Sequence, residues 1–197
     1  GCQSAYYAAW EKVGVEKRDI LVDRVENAKE SQEDAQEQFN SALEAFSAAV
    51  AFDGGELEDV YNRLNGQYED SVAAAEEVSS RIDKVESVAE ALFDEWAEEL
   101  EKYENASLKR DSAAKLRETK RRYSSLMTAM RKAESKMPPV LSALQDNVLY
   151  LKHNLNASAI GALQGELSTI ENNVAQLIGQ MNSAIAESDA FIASMKN

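Results

Sequence analysis

Residues 21–55 read LVDRVENAKESQEDAQEQFNSALEAFSAAVAFDGG, and the spacing within this stretch decides the fold class. Leu21, Ala28, Ala35, Ala42 and Ala49 recur every seven residues, flanked by Val22, Val25, Phe39, Leu43, Phe46 and Val50. At helical pitch these positions form one wide apolar stripe, with Glu, Asp, Gln and Lys filling the opposite face. Asp53-Gly54-Gly55 then stops the helix, because glycine supplies the left-handed cap and the turn.

The same pattern continues outward from that turn. Leu57, Tyr61, Leu64, Tyr68, Val72, Ala75, Val78, Ile82, Val85, Ala89, Leu92, Trp96 and Tyr103 advance by three or four residues almost throughout, and the register passes Asn65-Gly66 unbroken. Between 104 and 115 the apolar signal fades to Ala106, Leu108, Ala113 and Ala114 without a glycine or proline. Lys109 and Arg110 suit a new helix N-terminus badly, since the dipole there favours acids. This stretch therefore reads as an exposed, continuous helical connector. A new register runs Leu116, Tyr123, Met127, Met130, Met137, Leu141, Leu144, Val148, Leu151 and Leu155. Pro138-Pro139 removes two helical hydrogen bonds and predicts a kink or a short break. Asn156 is a plausible N-cap after a turn at 154–156. The last helix carries Ile160, Leu163, Leu167, Ile170, Val174, Leu177, Met181, Ala184 and Phe191 as a near-regular heptad seam.

The expectation is an all-α protein of two long antiparallel hairpins, coiled-coil-like, packing together as an elongated three- or four-helix bundle. Its parts are a lipid-anchor region and helix start (1–14), an acidic hairpin (15–104), the connector (105–116) and a second hairpin (117–197). Apolar stripes widen at 15–25, 85–100 and 174–195. Three or four helices are therefore expected to meet near the connector, with two-helix coils at the hairpin tips. The sequence leaves open whether the hairpins lie side by side or end to end.

Composition agrees with helices. Two prolines and eight glycines interrupt 197 residues, and 44% of the residues are hydrophobic, too many for a disordered chain. The net charge of −14 is unevenly spread: residues 23–104 hold 24 acids and 6 bases, whereas residues 107–136 hold 3 acids and 10 bases. Such an acidic chain repels nucleic acid, so no nucleic-acid partner is expected. The mixed run Glu16–Arg24 reads as ion pairs flanking a packed stripe, or as a docking face.

Cys2 is the only cysteine and follows a small residue, Gly1. It cannot form an internal disulfide, but this is how a bacterial lipoprotein signal ends, with the thiol diacylated. Two or three acyl chains anchor stably at ~0.8 kcal/mol per buried CH₂. Tyr6, Tyr7 and Trp10 then suit either a headgroup interface or a neighbouring helix. Gln3, in place of Asp, points to outer-membrane sorting and a periplasm-facing chain.

Cys2-Gln3-Ser4, the stretch Val15-Glu16-Lys17-Arg18-Asp19-Ile20-Leu21-Val22-Asp23-Arg24-Val25, and Leu151-Lys152-His153-Asn154-Leu155-Asn156-Ala157 together resemble an uncharacterised family of Gram-negative lipoproteins, a helical domain of unknown function. The resemblance covers nearly the whole chain and implies the envelope address and the helical fold. It supplies no catalytic or ligand-binding residues.

The residues themselves form no recognisable catalytic pattern. His153 is the only histidine, which rules out a paired Glu-x-x-His di-iron site and leaves too few ligands for zinc. It reads as a capping or hydrogen-bonding residue near the turn. Neither a Gly-x-Ser-x-Gly elbow nor a Gly-x-x-x-x-Gly-Lys loop occurs. Gly161 and Gly165 form a Gly-x-x-x-Gly pair that predicts close helix packing. Met127, Met130 and Met137 read as core filling ahead of an adaptable binding surface. No cofactor or metal is expected and no enzyme.

The function expected is a non-enzymatic, membrane-anchored lipoprotein acting as an envelope scaffold, spacer or adaptor. The alternative is a self-assembling membrane-remodelling or coat-type helical protein, with a homo-oligomer possible. Lys109, Arg110, Lys115, Arg117, Lys120, Arg121 and Arg122 are the candidate contacts, either to anionic lipid or to envelope proteins, with Cys2 the lipid attachment.

Overall fold

The computed structural model describes the backbone of residues 2–196 and the side chains of residues 15–196. Five helices follow in order: α1 (Cys2–Val50), α2 (Leu57–Leu100), α3 (Ala106–Ser135), α4 (Met137–His153) and α5 (Ala157–Lys196). Cys2, Tyr6, Tyr7 and Trp10 fall in the first turns of α1, and their side chains lie outside the described residues.

Helices α3 and α4 make one bent arm, so the molecule has four arms. Lys17 meets Glu95 and Gln38 meets Gln67, which runs α2 antiparallel to α1. Trp96 meets Ser112 and Asp83 meets Arg131, which reverses α3 against α2. Lys29 meets Asp189 and Glu26 meets Lys196, which sets α5 antiparallel to α1. Among the described residues α1 touches α2 and α5, α2 touches α3 and α4, and α5 touches α3 and α4. Neither α1 with α3 or α4 nor α2 with α5 makes contact. The arms therefore stand side by side at the corners of a square, with α1 diagonal to the α3–α4 arm. The 40 residues of α5 span about 60 Å at 1.5 Å per residue.

Each arm buries two interleaved heptad rows, the a and d positions of a bundle helix. In α1 the rows are 21-28-35-42-49 and 25-32-39-46; Leu21, Val25, Ala28, Ala35 and Phe39 are all fully buried. In α2 they are 64-71-78-85-92 and 75-82-89-96. One polar residue enters the rows of each arm: Gln32, Ser71, Asn147 and Ser188, all buried. Three of them bond to the carbonyl one turn back in their own helix, Ser71 to Gln67 at 2.7 Å, Asn147 to Ala143 at 2.7 Å and Ser188 to Ala184 at 2.8 Å. Gln32 alone of the four has no partner for either amide atom.

Several expectations change. Instead of running through a helical connector, the chain turns at residues 101–105 and restarts at Ala106, with the Asn105 side chain accepting from the Leu108 amide at 3.0 Å. That cap satisfies an orphan N–H and outweighs the dipole penalty of Lys109 and Arg110 in the first turn. The hairpin tips are not two-helix coils: Gln164 at the start of α5 donates to the Val50 carbonyl at 2.8 Å, and α4 packs on both α2 and α5. Gly161 and Gly165 are exposed, and a Cβ at either would meet nothing within 4 Å, so this pair makes no close crossing. Met130 and Met137 are core residues, as read. The break between α3 and α4 falls at Lys136, and Pro138 and Pro139 occupy the first turn of α4, where their missing N–H groups have no helical acceptor to satisfy. The buried phase survives the break, since Met130, Ala133, Met137, Val140 and Leu144 all remain in the core. At the other turn Asn156 caps α5 by accepting from the Ala159 amide at 3.1 Å.

Candidate functional site

The candidate surface is the first half of α3. It lies at the proximal end of the bundle, where α1 begins, α2 turns into α3 and α5 finishes. Leu116, Leu126, Met130 and Ala133 seat α3 in the core and fix which face points outward. At 100° per residue Arg110, Arg117 and Arg121, spaced seven and four apart, share the face turned away from both neighbouring arms. All three are exposed. From Arg110 to Arg121 that row extends about 17 Å.

The seven expected cations are brought to one helix, but they differ in their surroundings. Lys115 pairs with Asp111 at 3.0 Å, and its side chain stays 71% exposed. Glu118 accepts from Arg121 at 2.6 Å and from Arg122 at 3.0 Å, and these hydrogen bonds, Arg121 first, hold its carboxyl down at about 2. Lys120 stands 5.9 Å from the centre of the Phe93 ring on α2. The half-buried Tyr123 meets that ring edge-on at 5.3 Å, and burial, followed by Glu86 and Glu90, pushes its phenol up to about 12. Lys109, Arg110 and Arg117 have no acidic partner among the described residues.

The acidic hairpin therefore leaves this face uncovered. Among the described residues of α3, only Arg131, one turn before the break, forms ion pairs with α2, with Glu86 at 2.6 Å and Asp83 at 3.0 Å, besides Glu134 of its own helix at 3.2 Å. Arg110 and Arg117 point outward, because α1 is diagonal to α3 and their row faces away from α2.

A second cluster ties the proximal end together. Lys17 sits 2.5 Å from the buried carboxylate of Glu95, Arg18 lies 4.6 Å over the Trp96 ring, and the Trp96 indole donates to Ser112 at 2.9 Å. Three arms meet there, so the Glu16–Arg24 run is structural at these two positions. Burial, then the nearby Glu95, raises the carboxyl of Glu99 above its ordinary value.

Sequence reasoning missed two apolar neighbours of the basic face. Tyr103 is 40% exposed and Leu108 57% exposed, both at the α2–α3 turn. The available signal was Leu108 lying eight residues before Leu116, in line with the core stripe but beyond the bundle's end. The opposite, distal end exposes Leu149, Tyr150 and Leu155 around the exposed His153. His153 caps nothing among the described residues. Instead, Asn154 donates back to the Tyr150 carbonyl at 2.9 Å.

Between α2 and the α3–α4 bend lies an open groove of about 690 Å³ lined by Ala75, Ser79, Met137, Pro138 and Leu141. It forms because small α2 side chains face an arm that the prolines bend, and the rim acids Asp83 and Glu134 are already held by Arg131. Among the described residues no group of three or more His, Cys, Asp or Glu is placed to hold a metal, and no helix is long and apolar enough to cross a membrane.

No curated protein matches the chain. A family model described as a protein of unknown function (DUF2959) matches residues 6–195, which is α1 to α5 almost end to end, and the chain belongs to that family.

Proposed function

We propose that this protein is a non-enzymatic, membrane-anchored rod of the cell envelope, tethered through a lipid on Cys2 and serving as a scaffold, spacer or adaptor. One observation carries the reading: a four-arm bundle about 60 Å long has an outward basic face at the end where α1 begins, on which Lys109, Arg110 and Arg117 have no acidic partner among the described residues. A lipid at Cys2 would hold that end at a bilayer, with the exposed apolar tip of Leu149, Tyr150 and Leu155 at the other end of the rod. The Cys2-Gln3-Ser4 start supports a lipoprotein facing the periplasm from the outer membrane. Buried heptad rows on every arm leave few side chains for chemistry, in keeping with a mechanical or binding role.

Growth of a Gram-negative host with an alkyne fatty acid tests the anchor. The wild-type protein is expected to take up label and the Cys2→Ser variant is not. An unlabelled wild-type protein recovered wholly in the soluble fraction overturns it. Loss of the protein is expected to produce an envelope or assembly defect; a missing metabolic reaction with accumulating substrate argues for an enzyme instead.

The charge asymmetry favours one second reading, a self-assembling coat in which the basic arm of one copy meets the acidic arms of the next. Light scattering separates the two, because a strict monomer across a wide concentration range leaves the tethered rod alone.

A further inference from the structure

We infer that the proximal half of α3, with the α2–α3 turn, is a second bilayer contact that binds anionic phospholipid and lays the bundle on the membrane along its α3 side. The inference rests on the tethered reading for its physiological setting, but its chemistry belongs to the unlipidated chain.

The square arrangement makes the bundle electrically two-sided. From residue 15, α1 and α2 together carry 22 acids against 7 bases, whereas α3 and α5 carry 7 acids against 10 bases. The basic excess is concentrated between Lys109 and Arg122, at the proximal end. With neighbouring helix axes about 9 Å apart, the α1 diagonal lies roughly 13 Å behind α3. That exceeds the ~8 Å Debye length at physiological ionic strength, so the α1 acids are largely screened from a surface in contact with α3. On the α2 side Asp83 and Glu86 are engaged by Arg131 and Glu90 borders the half-buried Tyr123, whereas the Arg110, Arg117 and Arg121 row faces away from α2. A flat anionic surface approaching α3 therefore meets Arg110, Arg117 and Arg121 first.

The apolar residues beside this row distinguish a bilayer from an acidic protein. Tyr103 and Leu108 stand exposed next to Lys109 and Arg110. A tyrosine and a leucine flanked by cations match the headgroup boundary, where the ring and the alkyl chain enter apolar depth and the cations remain with the phosphates. Lying along α3 also avoids the alternative of standing on the end. An end-on pose would press Glu98, Glu101 and Glu104, all exposed, against the same phosphates.

The test uses the full chain carrying Cys2→Ser, so that no acyl chain contributes. It is mixed with vesicles of phosphatidylcholine alone or with phosphatidylglycerol added, at 0.1 and roughly 0.5 M salt. Binding is expected only to the anionic vesicles and is expected to collapse at high salt. Each cation removed is expected to weaken binding about fivefold, so Arg110→Gln, Arg117→Gln and Arg121→Gln together cost about 100-fold. These side chains are exposed, so circular dichroism should show an unchanged fold. An environment-sensitive dye on Leu108→Cys is expected to be quenched by brominated lipid, while the same dye on Leu155→Cys remains in water.

Absence of binding at low salt overturns the inference, as does equal binding by the triple variant or equal quenching at both positions. Self-association abolished by the same three substitutions, without vesicle binding, assigns the surface to a second copy instead. Fatty-acid labelling of Cys2 reports separately on the tether, so failure of one reading leaves the other standing.

Discussion

Replacing Gln32 with methionine should stabilise this protein, although glutamine lies in the middle of its longest helix. Gln32 occupies the heptad row 25-32-39-46 between Val25 and Phe39 and is fully buried. Its Nε2 and Oε1 both lack a hydrogen-bond partner. The serine one residue earlier, Ser31, avoids this fate by donating to the Ala28 carbonyl at 2.7 Å. The glutamine side chain extends beyond its own backbone and has no such recourse. A buried polar group without a partner costs about 1–3 kcal/mol. Methionine has nearly the same length and volume, adapts to irregular gaps and brings no polar atom to satisfy. The expected gain is about 1–2 kcal/mol. For a chain of this size, 1 kcal/mol moves the melting temperature by roughly 2–4 °C, so Tm should rise by about 2–8 °C. Urea unfolding followed by circular dichroism should show a higher midpoint and an unchanged slope, since the surface exposed on unfolding hardly changes. A midpoint that falls would refute the reasoning. It would mean that in solution the amide is satisfied, for example by a buried water with several polar contacts, and that methionine destroys that network. The polar residue also has a cost-bearing role to test in the same variant. If Gln32 keeps the four arms in one register, the stabilised variant should show broadened oligomeric states by light scattering.

Three further outcomes follow from individual contacts. Glu95 is 6% exposed and Lys17 is its one ion-pair partner among the described residues, so Lys17→Met leaves a buried, uncompensated carboxylate. It should cost about 3 kcal/mol in urea unfolding, and the double variant with Glu95→Met should recover most of the loss; a Lys17→Met chain as stable as wild type refutes the pairing. Gly55 has φ of 107° and Gly54 has open space around it, so Gly55→Ala should lose about 1–2 kcal/mol while Gly54→Ala stays near neutral. Equal thermal midpoints for the two would show that the turn relaxes. The pH dependence has two opposed contributions. Glu99 has a raised folded-state pKa, so the folded protein holds the proton longer than the unfolded one. Its contribution falls as pH rises from about 4.5 through that raised value, and Glu99→Gln should remove this decline. Glu118 is lowered to about 2, so what it stabilises is present above about 4.5 and lost between there and 2. Helix signal in α3, read by amide exchange, should weaken over that acid range and become flat with Glu118→Gln.

The four arms, their two hairpin turns and the buried stripe of each were legible before any coordinates. Seven-residue recurrence from Leu21 to Ala49 or from Leu163 to Phe191 permits only a helix with one buried face, because no other backbone returns side chains to one side at that interval. Gly54-Gly55, Asn156 and Pro138-Pro139 announce their breaks through backbone chemistry that acts locally. A cap is just as local, yet Asn105 is masked in the sequence by Lys109 and Arg110, which argue against a helix start.

Periodicity says which stripe is buried but not which neighbour buries it. The diagonal placement of α1 and α3, the exposure of Arg110 and Arg117, the engagement of Arg131 by α2 and the openness of Gly161 and Gly165 all depend on the order of arms around the square. So does the isolation of Gln32, which sits correctly in its heptad row and whose missing partners are a property of the neighbouring helices. Sequence by itself determined that this chain is four amphipathic helical arms with a basic segment among acidic ones. Tertiary structure alone decided that the basic segment faces outward, because a square bundle sets every arm against two neighbours and away from the third, and only the packing of complementary stripes selects which.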